Sequence, residues 1–381
     1  MSEAERPLGL YVHLPFCEAK CAYCHFAIDP RRPDRARQER YVSAVLAEMA
    51  GAEEGAADTL YFGGGTPSLL EADLLSRIVE VARSRFALPA AAEVTVEANP
   101  HDLDEVGYRR LREAGTSRLS LGVQSFDDGV LREMGRHHTA SDSRRAVALA
   151  RQAGFDNVSI DLILGWPGET SARWERGLEA AAELVPDHVS LYVLEVEGKT
   201  LLSHRARQGR LDLPDEDLVA DLYHRTVRFL ADRGLAHYEI SSFARPGRES
   251  AHNAKYWDDA PFLGFGLSAH SYRHGRRWWN VATYAGYCAA VLARGAAGAV
   301  AGERQLGARE RLGEAAFTGL RRREGIDLAA FRRDHGADLL REYGRALRDP
   351  LEAGLLLAQD GRLRLTDRGL LVSNEIFQLF V

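Results

Sequence analysis

The sequence predicts an α/β fold: a partial or complete (β/α) barrel followed by a small, mainly helical C-terminal domain. Two observations carry this expectation. Between residues 8 and 194, short apolar runs rich in Val, Ile and Leu alternate with stretches of helical periodicity. Strands that alternate with helices pair as parallel βαβ units with right-handed crossovers. Beyond residue 307 the alternation gives way to short helices and an Asp-Gly pair between apolar runs.

The elements follow in order. Leu8–Leu14 reads as a strand and leads into a cysteine-rich loop, and Ala36–Ala50 reads as a helix. Thr59–Phe62 is a strand that runs into a glycine cluster. Ala72–Arg85 reads as a helix. Strands are expected at Glu93–Glu97, Leu119–Val123, Val158–Leu164 and Val189–Leu194, with helices at Leu103–Ala114, Ser141–Ala153 and Ser171–Leu184. Asp161 interrupts an otherwise apolar strand, which marks it as an inward-facing candidate. Glu216–Arg233 is a long amphipathic helix and Ala236–Ser241 one more strand, whereas residues 245–290 show no clear periodicity. Asp360-Gly361 within Leu355–Leu365 is a hairpin signal. Asp367–Phe380 reads as a last helix. The expected division is a barrel core at 1–235, an extension at 236–306 and a C-terminal domain at 307–381. That domain fits a winged helix or a helical packing unit equally well.

Composition excludes several classes. The chain has 381 residues, 45% hydrophobic and 27% charged, as soluble globular proteins do. Its net charge of −6 argues against a nucleic-acid partner. No apolar run is long enough to span a membrane, and Met1–Pro7 lacks a secretory apolar segment. A cytoplasmic protein is expected.

Three of the four cysteines form Cys17-x3-Cys21-x2-Cys24, and Cys288 stands alone. Such clustering in a long chain without an export segment points to metal rather than disulfides. Thiolates are soft ligands that suit iron–sulfur clusters, zinc or copper(I). Three thiolates on one loop can hold three irons of a cubane and leave the fourth open. Structural zinc takes four protein ligands, and His13 or His25 could be the fourth. After the second strand, Gly63-Gly-Gly-Thr-Pro-Ser68 lets backbone N–H groups approach a polar ligand closely. It lacks the lysine of a P-loop.

Cys-x3-Cys-x2-Cys with Tyr23 before the third cysteine resembles the radical S-adenosylmethionine superfamily. The whole chain is similar to its coproporphyrinogen-oxidase-like branch. The resemblance implies a [4Fe–4S] cluster on Cys17, Cys21 and Cys24. It implies S-adenosylmethionine beside Tyr11, Tyr23, Gly64, Gly65 and Thr66, with Glu97, Gln124, Arg136 and Asp161 as further contacts. The oxygen-independent oxidases of the branch have another cysteine two residues after the third. Phe26 stands there, as in the branch's heme chaperones. His252-Asn253-x-x-Tyr256-Trp257 matches those chaperones too. Imidazole can ligate heme iron and aromatic rings can cover a porphyrin, so His252, Tyr256 and Trp257 are the expected heme residues and His270 a second candidate. His25 departs from the usual Asp or Asn of that subfamily, and Leu267-Ser268 replace a more glycine-rich loop. The function implied is a heme chaperone that passes heme to apoproteins. A radical enzyme acting on a tetrapyrrole, with a cellular electron donor, is the alternative, and a zinc-bearing interaction protein the third.

Overall fold

The computed structural model describes residues 6–31, 33–196 and 198–381. Six parallel strands run in sequence order across one sheet: β1 Leu8–Leu14, β2 Ala57–Gly64, β3 Glu93–Ala98, β4 Arg118–Gln124, β5 Val158–Leu164 and β6 His188–Val193. The helices between them are α1 Arg35–Ala50, α2 Ala72–Arg85, α3 Glu105–Glu113, α4 Asp128–Met134, α5 Ala140–Gln152 and α6 Ser171–Glu183. The barrel is partial. β6 pairs antiparallel with β8 Ser242–Ala244, itself paired with β7 Ala236–Glu239. Beyond β1 lie β9 Phe262–Phe265, β10 His270–Arg273, β11 Arg276–Asn280 and β12 Val300–Gln305. The twelve strands form one open sheet whose two edges do not meet.

Local chemistry explains where the helices begin. Asp34, Asp104 and Asp127 accept backbone N–H bonds at the starts of α1, α3 and α4, and Thr139 and Asp142 form a capping box on α5. The helix-facing side of the sheet is apolar: Leu10, Val12, Leu60, Phe62, Val96, Leu121, Ile160 and Leu191 are buried in one cluster. Alternation therefore turns Tyr11, His13, Tyr61, Glu97, Arg118, Ser120 and Asp161 to the opposite, concave face. That face is polar, and it lines the lumen of the half-open barrel.

The single strand expected at Ala236–Ser241 is a hairpin instead. It turns after Glu239 and returns along β6. The last helix expected at Asp367–Phe380 is broken into Asp367–Leu371, Ser373–Phe377 and a 3-10 turn at Gln378–Phe380, because Val372 leaves helical geometry at φ −115°, ψ 25°. The Asp360-Gly361 hairpin forms, with φ of 52° and 74°, between strands Leu356–Gln359 and Arg362–Leu365. These strands, a two-residue strand at Ile326–Asp327 and the helices Ala308–Gly319, Leu328–His335 and Leu339–Glu352 occur in the order of a winged helix and surround their own apolar cluster.

Candidate cluster and adenosylmethionine site

The cysteine loop leaves the C-terminal end of β1, where ligands bind in parallel β/α folds. Cys17, Cys21 and Cys24 are all partly exposed, and the Cys24 N–H donates to the Cys21 carbonyl at 3.2 Å. Burial pushes the Cys17 thiol up to about 11 and raises that of Cys24 as well. Without a metal these sulfurs therefore keep their protons. Cys17 Sγ lies 3.3 Å from Thr66 Oγ1, and Arg136 donates to Cys21 Sγ at 3.7 Å. The Thr66 contact favours the deprotonated, ligating form of Cys17.

The donor set fits a cubane better than zinc. A structural zinc takes four protein ligands, whereas three thiolates suffice for a cubane that keeps one iron open. His13 is no fourth ligand: its Nε2 lies 2.7 Å from the Ala27 carbonyl and its Nδ1 3.2 Å from the Tyr11 hydroxyl. His25 is exposed and stacks on Phe26, ring centroids 5.0 Å apart.

The glycine loop closes against the cysteine loop. Gly65 N–H donates to the Leu14 carbonyl at 2.8 Å and Thr66 N–H to the Phe16 carbonyl at 2.7 Å. A Cβ on Gly65 would sit 2.6 Å from the Phe16 carbonyl oxygen, so the backbones approach too closely for any side chain. Gly64, at φ 109°, donates to Glu97 Oε2 at 3.2 Å, while Tyr61 donates to Oε1 at 2.8 Å. Burial raises Glu97 to about 7 despite these bonds, with Asp161 adding to the rise. Asp161 accepts from Ser120 Oγ at 3.2 Å, and burial raises it too. Tyr11 stacks on Tyr61 with centroids 6.2 Å apart, and Tyr23 meets Trp166 edge-on at 6.2 Å.

Two residues that sequence reasoning missed tie this pocket together. Asn99 donates to Thr66 Oγ1 at 3.2 Å and accepts from Arg136 Nη2 at 2.5 Å, joining the glycine loop to the arginine. Arg136 also donates to the Gly122 carbonyl at 2.7 Å. Its own place is set by α4, a seven-residue helix too short for periodicity to reveal. The signal was present in the Asp127 cap and in Gly135, left-handed at φ 78°. Arg118, buried at the start of β4, supplies positive charge that favours the ionised forms of Glu97 and Asp161. Gln124 holds φ 65° at the end of β4, and its amide crowds Gly122 beside Arg136. A non-glycine residue in that region stores strain.

The radical SAM superfamily model matches residues 11–181, and the HemN C-terminal domain model matches 306–372. The Escherichia coli coproporphyrinogen III oxidase HemN, described as a radical SAM enzyme, superposes with a TM-score of 0.83 at 26% identity, over 99% of this chain and 90% of its own. The heme chaperone HemW of Lactococcus lactis subsp. lactis (strain IL1403) is 34% identical over 99% of this chain and 98% of its own. That of Mycobacterium tuberculosis (strain ATCC 25618 / H37Rv) is 38% identical over 97% and 94%. The chain belongs to the HemW family. Membership of the radical SAM superfamily implies a [4Fe–4S] cluster and S-adenosylmethionine.

The motif that the sequence pointed to for heme lies elsewhere in this HemW-family fold. His252 is the second residue of the short helix Ala251–Trp257, beside Thr59 and Glu93 at the N-terminal ends of β2 and β3 and so away from the cysteine loop. It is 1% exposed. Its Nδ1 lies 3.0 Å from Thr59 Oγ1 and its Nε2 2.9 Å from the Tyr256 hydroxyl. The ring stacks on Tyr61 at 5.2 Å, and burial lowers its pKa to about 3. Both nitrogens are occupied, so the expectation of an iron ligand at His252 does not match this geometry: the helix plugs the barrel base. Tyr256 packs edge-on to Phe262 at 4.8 Å, and Trp257 lies under the Arg321 guanidinium at 4.2 Å. His270 is exposed on β10, stacked on Trp279. At the other end Phe26, 56% exposed, stands open beside Cys24. A cleft beside Tyr23 is lined by Trp166, Leu202 and Leu211 with Arg205 and Arg210. Cys288 is buried in the core on the helix Tyr284–Arg294.

Proposed function

We propose that this protein is a heme chaperone: it holds a [4Fe–4S] cluster on Cys17, Cys21 and Cys24, binds S-adenosylmethionine and heme, and passes heme to apoproteins. One observation carries the reading, the similarity to curated heme chaperones along nearly the whole chain. When bound, the cluster supplies an iron that no cysteine occupies, available to S-adenosylmethionine. Around it, the backbone of Gly64 and Gly65 and the Thr66 hydroxyl face the ligand's amino-acid end. Arg136, fixed by Asn99 and the Gly122 carbonyl, offers its charge to a carboxylate. Glu97 and Asp161 accept from ribose hydroxyls or an ammonium deeper in the lumen, with Gln124 beside them. Tyr11 walls the lumen, and Tyr23 packs the loop against Trp166.

The cleft beside Tyr23 suits heme. Trp166, Leu202 and Leu211 give apolar cover, and Arg205 and Arg210 match the two propionates. In this reading Tyr256, Trp257 and His252 close the base and leave the iron to other ligands. Residues 1–235 hold the cofactors, 236–306 seal and extend the sheet, and 307–381 buttress it. Heme-receiving apoproteins and, where S-adenosylmethionine is reduced, an electron donor are the partners. Among the described residues no helix is long and apolar enough to cross a membrane. An oxygen-sensitive cluster on thiolates calls for a reducing compartment, and we place the protein in the cytoplasm.

The test is an anaerobic heme titration of the cluster-loaded protein beside a coproporphyrinogen decarboxylation assay. Saturable heme binding without decarboxylation is expected. Decarboxylation at rates typical of enzymes, or absence of saturable heme binding, overturns the chaperone reading.

A further inference from the structure

Three side chains outside the proposed cluster ligands and adenosylmethionine contacts converge at the rim of the cysteine loop. Glu18 Oε2 lies 3.2 Å from His101 Nε2 and 3.5 Å from His137 Nδ1. All three ligand atoms lie within 4.8 Å of one another. Tetrahedral zinc with bonds of about 2.0–2.1 Å holds its nitrogen and oxygen ligands about 3.3–3.4 Å apart, so two of the three separations already match. The Asp102 carboxylate, buried and 3.6 Å from His101 Nε2, stands behind them. Each ligand comes from a different loop: Glu18 follows Cys17, His101 lies two residues after Asn99, and His137 follows Arg136.

We infer that Glu18, His101 and His137 form a second metal site, for a divalent ion of the zinc class. Two imidazoles and one carboxylate are the donor set that such borderline ions prefer. Three ligands converging from one side leave positions for water, as in an open site. The same three-ligand geometry suits a free ion better than the iron of heme. A porphyrin leaves only two coordination positions, on opposite faces, and cannot accept three facing side chains. An ion here spans the cysteine loop, the loop after β3 and the loop after α4, and so joins the three segments that carry Cys17, Asn99 and Arg136.

The site is tested on the cluster-loaded protein, in which the cysteines are already occupied. Zinc is titrated against a competing chromogenic chelator. Wild type is expected to bind one zinc beyond the cluster. His137→Asn and Glu18→Gln should each weaken it by about 100-fold, the upper range for losing even an outer-shell partner, with the cluster's absorption unchanged as the control for folding. X-ray absorption at the zinc edge should show only nitrogen and oxygen neighbours at about 2.0–2.1 Å. A sulfur shell, or zinc affinity unaltered in the Glu18→Gln/His137→Asn double variant, overturns the assignment. Heme binding that falls in Glu18→Gln in step with zinc also overturns it, because the site would then serve the porphyrin.

Discussion

Replacing His252 by Ala separates a structural plug from a heme ligand. The substitution empties a buried imidazole site and strands two hydroxyls, Thr59 Oγ1 and Tyr256, that now face ring nitrogens at 3.0 and 2.9 Å. A buried hydroxyl left without its partner costs about 1–3 kcal/mol. Truncating a large buried side chain adds about 2–5 kcal/mol where the site cannot collapse. A water entering this polar space recovers part of both losses, which leaves a net cost of about 3 kcal/mol and a fall of roughly 5 °C in melting temperature. The same residue sets a pH dependence. His252 has a folded pKa of about 3, below the 6.5 of a free histidine, so the unfolded chain binds the proton first as pH falls. Stability is fully present above pH 6.5 and is lost progressively between 6.5 and 3. From pH 7 to 5 this one residue should take away about 2 kcal/mol, and His252→Ala should flatten that slope. The assay is anaerobic urea unfolding at both pH values, followed by tryptophan fluorescence, with the heme Soret band recorded in parallel. A variant as stable as wild type that loses its Soret band would refute the plug and restore His252 as an iron ligand.

Burial raises Glu97 to about 7, so its carboxylate ionises as pH rises through that value. Adenosylmethionine affinity measured by calorimetry should increase between pH 6 and 8, and Glu97→Gln should remove the trend. The raised pKa also means that Glu97 favours folding below its unfolded value of 4.5 and loses that contribution as pH climbs to 7. Gly65→Ala forces a methyl into the Pro15–Phe16 backbone and should cut iron incorporation several-fold in anaerobic reconstitution. Cys288→Ala should leave iron content unchanged, because that thiol is enclosed in the core.

The βα alternation was legible because each strand is buried on its helix side by branched residues that turns punctuate. β1, β5 and α2 have the bounds that the sequence predicts. Residues 245–290 resisted reading because their strands are only four or five residues long, too short for a period to repeat. Site residues in compact loops, such as the cysteines and Gly63–Ser68, announce themselves by neighbouring chemistry. Arg118 and Asn99 do not: their importance comes from the face of the sheet they occupy and from partners 20 or more residues away. The motif around His252 was visible, but its burial depends on β2 and β3 meeting a helix that follows them by more than 150 residues.

The outer strand of the hairpin at one end of the sheet is not left bare. The Ile240 N–H donates to the Arg321 carbonyl, the Arg323 N–H donates to the Tyr238 carbonyl, and Glu239 forms a bridge with Arg322. A few residues from the C-terminal unit thus lie along β7 as a selvage that stops the weave from unravelling or catching on its neighbours. An unpaired strand edge invites pairing with other chains. A chain cut back before residue 307 would keep every cysteine and every adenosylmethionine contact named above, yet it would expose that edge. The carboxy-terminal segment therefore closes an edge that would otherwise be open to strand pairing with other chains.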